Sequence, residues 1–126
     1  MKPVPIRYVR DLDAARRFYE ALGLTYDYST RPPRRGPSAW TELRGDGGCL
    51  ALHHVPGDAP QQDDAPEQGV ELSFEATEPL ETVTDRLRAA GYQLATEIVD
   101  ESFGRSFTVR DPEGLVIQVN EHDRSL

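Results

Sequence analysis

Residues 107–121 read FTVRDPEGLVIQVNE, and the reading of this stretch decides the fold. Phe107 and Val109 alternate with polar neighbours, the tetrad Asp111-Pro112-Glu113-Gly114 follows, and Leu115, Ile117 and Val119 alternate again. Period-two alternation on both sides of a tetrad bearing Pro and Gly is the pattern of a β-hairpin. Pro112 pre-sets φ at about −65° for the second turn position, and Gly114 can take the positive φ that closes the turn. If the apolar set of the returning strand faces a core, Val116, Gln118 and Asn120 face the other way. Two amides then share one sheet surface.

Working back from the hairpin, residues 70–76 predict a strand, 78–90 a helix with Leu80, Val83, Leu87 and Ala90 on one face, 93–99 a strand and 102–105 a loop. Gly91 ends the helix as a residue free to adopt positive φ. The same series occurs earlier in the chain. Residues 4–9 predict a strand, and Asp11 caps a helix whose apolar positions Leu12, Ala15, Phe18, Tyr19 and Leu22 recur at three and four. Gly23 ends that helix. Strands are expected over 26–29, 39–43 and 49–54, the last two joined by a glycine-rich turn. Gly23 and Gly91 lie 68 residues apart, as do Leu12 and Leu80, and Gly47 and Gly114 lie 67 apart. One indel reconciles the two copies.

The chain is thus expected to be α+β, two tandem β-α-β-β-β modules (about 3–54 and 70–122) joined by a linker over 55–69 rich in Pro and Asp. Neither small sheet can bury both faces with one helix, so the two are expected to pair as curved mixed sheets around a central cleft, helices outside. Residues 1–126 are read as one domain, because 126 residues suffice for one core and fall short of two ordinary domains.

Composition narrows the function classes. A net charge of −8 opposes general nucleic-acid binding, which needs a basic footprint. No apolar run approaches the roughly 20 residues of a membrane span and the N-terminus has no signal-peptide pattern, so the expected compartment is the cytoplasm. One cysteine, Cys49, excludes an internal disulfide, and three histidines leave few nitrogen ligands for a metal. No nucleophile triad, phosphate-binding glycine loop or metalloprotease helix occurs.

Several residues stand out as candidates. Ser73, Glu71 and Glu75 alternate with Leu72, Phe74 and Ala76, which directs the polar set toward the cleft. Trp40, the only tryptophan, suits either a core or the wall of an aromatic-ligand pocket. The basic loop with Arg31, Arg34 and Arg35 reads as a solvated connection or as a lid at a ligand entrance. With Val4, Ile6 and Tyr8 facing the cleft, Arg7 falls on the helix side, where it must pair or snorkel at an edge unless the register is shifted by one.

The stretches YVRDLDAARRFYEALGL (8–24), 40–54, GVELSFEA (69–76) and the hairpin together resemble the vicinal oxygen chelate superfamily, the glyoxalase, bleomycin-resistance and extradiol-dioxygenase fold. The resemblance implies a divalent ion held by one side chain on the first and one on the last strand of each module. Those positions fall on Val4, Ala51, Glu71 and Gln118. Valine and alanine coordinate nothing, so the family's metal site is expected to be missing, with His53, Glu71 and Gln118 as the set if an ion is present.

The resemblance also implies a small planar or aromatic organic ligand, walled by Ile6, Tyr8, Trp40, His53, Glu71, Ser73, Gln118 and Asn120 and sequestered as in bleomycin resistance, a form of antibiotic resistance. No catalytic residue is assigned and no cofactor is expected. A homodimer is expected, with neither nucleic acid nor membrane as partner. The alternatives are a metal-dependent lyase, isomerase or dioxygenase with a nonstandard site, and a non-catalytic dimeric interaction protein.

Overall fold

A computed structural model describes residues 3–29, 39–55 and 72–123. The chain divides into two compact units, Met1–Gln61 and Gln62–Leu126, each with one helix and one four-stranded mixed sheet among its described residues.

In the first unit the elements run β1 (Ile6–Val9), α1 (Leu12–Leu22), β2 (Thr25–Ser29), β3 (Trp40–Arg44) and β4 (Cys49–His54). The sheet order is β1-β4-β3-β2, with β1 parallel to β4 and the other pairs antiparallel. The Asp11 carboxylate accepts from the Ala14 N–H, and Gly23 ends α1 at φ 127°. Phe18 and Tyr19 are wholly buried and meet edge to face, and with Ala15, Leu22, Val9, Leu43, Leu50 and Leu52 they form the core. Alternation in β1 is as expected: Ile6 and Tyr8 are exposed, while Arg7 and Val9 are buried. Arg7 resolves its burial by pairing, Nη1 donating to the Tyr8 carbonyl at 2.9 Å. No register shift is needed.

The second unit repeats the series as β5 (Ser73–Glu75), α2 (Leu80–Ala89), β6 (Leu94–Glu101), β7 (Gly104–Arg110) and β8 (Val116–His122), in sheet order β5-β8-β7-β6. Leu80, Val83 and Leu87 of α2 and Phe107, Val109, Ile117 and Val119 of the sheet are buried. The duplication extends to register: Ile6 pairs with Ala51 as Ser73 pairs with Gln118.

Several boundaries differ from the sequence reading, two of them for a visible reason. The helix begins at Leu80, with Pro79 at its cap position and no side-chain cap of its own. The Leu80 N–H instead donates to Glu121 Oε2 on β8, a partner 41 residues away that local sequence does not announce. Gly104 and Arg105, expected in a loop, open β7, because β6 runs on to Glu101 and turns tightly through 102–103. Arg105 then bonds both Glu121 and Glu81, tying β7 and β8 to the first turn of α2.

The 111–114 turn closes as its residues demand. The Gly114 N–H donates to the Asp111 carbonyl at 2.9 Å, and Gly114 adopts φ 94°. Asp111, nearly buried, accepts at Oδ1 from the N–H groups of Glu113 and Leu115, both at 3.0 Å.

Candidate functional site

The face of the first sheet away from α1 is built in rows. Parallel pairing of β1 with β4 sets Tyr8 beside His53, and antiparallel pairing of β4 with β3 sets His53 beside Trp40. Their ring centroids lie 5.2 Å apart for Tyr8–His53 and 5.9 Å for Trp40–His53, the latter pair edge to face. His53 Nδ1 is 2.8 Å from the His54 carbonyl. A carbonyl only accepts, so Nδ1 carries the hydrogen and the imidazole is fixed in one orientation.

The next row reads Ile6, Ala51, Glu42 and Tyr28. A register shift between Tyr26 and Tyr28 places Tyr28 opposite Glu42, while Tyr26 stays opposite Leu43, with the Arg16 guanidinium 3.7 Å from its ring centroid. The Glu42 carboxylate accepts from the Trp40 indole N–H at 3.1 Å and from the Cys49 thiol at 3.8 Å. It also raises the Tyr28 phenol above its ordinary value, chiefly because the phenol's hydrogen bond to Glu42 favours the neutral form, with desolvation adding to it.

On the second sheet the corresponding face is polar. One row is Ser73, Gln118, Thr108 and Thr96, and the next is Glu75, Asn120 and Ser106. The two threonine hydroxyls bond each other at 2.8 Å, and the Ser106 hydroxyl donates to Glu101 at 3.3 Å. Asn120 Nδ2 donates to Ser73 Oγ at 2.8 Å, and its Oδ1 is buried without a partner among the described residues. His122 Nδ1 lies 3.6 Å from a Glu75 oxygen.

Ile6, Tyr8, Trp40 and His53 therefore share one face of the first sheet, and Ser73, Gln118 and Asn120 share one face of the second. Glu71, Arg31, Arg34 and Arg35 lie outside the described residues. Glu42 and Tyr28 were not singled out from sequence. Glu42 stands two residues after Trp40 on one strand, so alternation alone places it on the same face. Tyr28 reaches that face only through the β-bulge, for which the sequence carries no signal.

The sequence model of the Glyoxalase/Bleomycin resistance protein/Dioxygenase superfamily matches residues 4–119. The chain belongs to this superfamily. Among curated protein sequences nothing matches it. Similar solved structures include TioX from Micromonospora sp. ML1, at 19% identity over 98% of this chain and 99% of the other, TM-score 0.73. A glyoxylase/bleomycin resistance protein/dioxygenase domain from Frankia sp. EAN1pec has 21% identity over 97% and 95%, TM-score 0.74. A glyoxalase/dioxygenase from Nostoc punctiforme has 21% identity over 96% and 90%, TM-score 0.72. At such identities the likeness is one of fold.

Members of the superfamily often bind a divalent ion, and the described donors do not fit one. Ala51 is a hydrocarbon, fully buried, whose register partners are Ile6 and Glu42. Gln118 is flanked by Ser73 and Thr108, neutral hydroxyls that are poor ligands for a catalytic ion. Among the described residues no three His, Cys, Asp or Glu side chains are grouped as an ion would require. His53 sits one row beyond Ala51 with its Nδ1 engaged. No helix of the described residues is long and apolar enough to cross a membrane.

Proposed function

We propose that this superfamily member binds a small planar or aromatic organic molecule and sequesters it, without using the family's metal ion. The observation that carries the reading is the Tyr8–His53–Trp40 row. Tyr8 and Ile6 are each 42% exposed on that face, an unusual outlay of apolar surface for a strand whose other residues are buried. Aromatic rings with fixed edges favour a flat partner stacked on their faces. A homodimer is the proposed assembly, and resistance to a toxic aromatic compound is the proposed use.

The experiment combines elemental analysis with ligand titration. Protein purified without a histidine tag and offered Zn, Mn, Ni and Fe(II) in turn is expected to retain no stoichiometric ion. The single indole N–H resonance, from Trp40, is expected to move when planar aromatic fragments are added. About one ion per chain, lost on His53→Ala, would favour a metal enzyme instead. An indole resonance indifferent to every aromatic fragment would remove the binding reading.

A further inference from the structure

The geometry points to His53 Nε2 as the specificity-determining acceptor of the aromatic row, taking a hydrogen bond from an O–H or N–H donor on the ligand's ring. The inference rests on the small-molecule reading above and adds the chemical class of the group that is recognised. Every residue it uses lies on the sheet of the first unit.

The backbone settles which nitrogen is left to accept. Nδ1 lies 2.8 Å from the His54 carbonyl, so in the neutral imidazole Nδ1 carries the only ring N–H and Nε2 keeps a bare lone pair. Nε2 also stands at the outer end of the ring, farther from the main chain than Nδ1. The neighbours in register do not fill it. Trp40 on β3 commits its indole N–H to Glu42 at 3.1 Å, and Tyr8 on β1 meets the imidazole ring to ring, tilted by 41°. Among the described residues Nε2 has no hydrogen-bond partner, yet it is not sealed, because Asn120 Oδ1 is the only buried side-chain polar atom left unpaired there. The lone pair reaches solvent beside Tyr8, which is itself 42% exposed.

This tautomer sorts ligands by chemistry. A phenol, or a heteroaromatic ring with an N–H, can donate to Nε2 while its ring packs against Tyr8 or Trp40. A ring of equal shape whose oxygen is methylated strips Nε2 of solvent and returns no bond, so discrimination follows from the penalty as much as from the bond.

The test uses the full chain and two probes, 2-naphthol and 2-methoxynaphthalene, which share ring and oxygen and differ in the O–H donor. It is run at a pH where the imidazoles are neutral, with binding and the histidine nitrogens both followed by NMR. In the free protein His53 is expected to show a protonated Nδ1 and a bare Nε2. 2-Naphthol is expected to bind about tenfold more tightly than its methyl ether, the worth of one hydrogen bond, and to move the Nε2 resonance toward a hydrogen-bonded value. His53→Phe keeps a flat ring without the acceptor and is expected to abolish the preference. His53→Gln, whose side-chain oxygen extends to about the place of Nε2, is expected to restore part of it. Should the phenylalanine variant fail to fold, the wild-type nitrogen spectrum decides alone. A hydrogen on Nε2 in the free protein, equal binding of the two probes, or a preference that survives His53→Phe overturns the inference and leaves the small-molecule reading standing. Binding of neither probe to the wild type overturns both.

Discussion

Trp40 and Glu42 stand two residues apart on β3, and the indole N–H of the first donates to Oε2 of the second at 3.1 Å. The bond holds the edge of the ring. The same carboxylate accepts from Cys49 and faces the Tyr28 phenol, so one acid organises the row beneath the aromatic one.

Glu42→Gln is therefore expected to bring the Tyr28 phenol back toward its ordinary value of 10.0. The sign follows from the neutral form being favoured in the folded chain. The contribution is present below the unfolded value and is lost as pH rises through the raised folded one. An NMR titration with carbon-13-labelled tyrosine resolves the effect among the five tyrosines. Five unchanged curves would show that Glu42 does not hold Tyr28.

At the other end of the chain, Asp111 carries the hairpin turn by accepting from the N–H groups of Glu113 and Leu115. Asp111→Ala leaves both donors without this partner and is expected to cost about 1–3 kcal/mol in urea unfolding. Asp111→Asn keeps an accepting oxygen and is expected to recover part of the loss. Equal losses in the two variants would mean that the carboxylate's charge, and not its acceptor geometry, stabilises the turn.

Much of the fold was legible because the signals were local. Asp11 and Gly23 bracket α1, Gly114 closes the hairpin, and the 67-residue offset reappears as the matched pairs Ile6–Ala51 and Ser73–Gln118. What escaped depends on residues distant in sequence. The start of α2 is set by Glu121, and Tyr28 is turned toward Glu42 by a bulge that no residue type announces. The site was legible in part for the same reason: alternation places Trp40 and Asn120 on their faces. That Asn120 Oδ1 has no donor among the described residues emerges only when its cross-strand neighbours are known.

Arg105 links Glu81 and Glu121, and it holds the Glu81 carboxyl below its ordinary 4.5 by hydrogen bonding to the charged form. A depressed folded value contributes stability above the unfolded one, lost as pH falls from about 4.5 through the lowered folded value. Arg105→Gln is expected to flatten the loss of stability over that acidic window. Exposure of the pair to solvent and salt keeps the change small, so it is best read as a difference between pH 7 and pH 3 in paired melts. Identical pH dependence in wild type and variant would remove Arg105 as the cause.

Gly104 opens β7 at φ 143°, where a Cβ would lie 2.0 Å from the Glu121 carbonyl oxygen and 2.9 Å from the Asp123 N. Both obstacles are backbone, and the Asp123 N–H is bonded to the Phe103 carbonyl, so neither can swing aside as a side chain would. Gly104→Ala must therefore separate the ends of β7 and β8 and take up a conformation unfavourable for alanine. A loss of about 3 kcal/mol or more is expected in urea unfolding. Gly47→Ala, where an added Cβ meets nothing within 4 Å, is the matched control and is expected to change stability by about 0.5 kcal/mol or less. Because Arg105 follows directly and bonds Glu81 and Glu121, the Gly104 variant should also lose the low Glu81 value, visible as a carboxyl that titrates nearer its ordinary range. A Gly104→Ala protein as stable as the Gly47 control would mean that this close approach of strands is not needed for the fold.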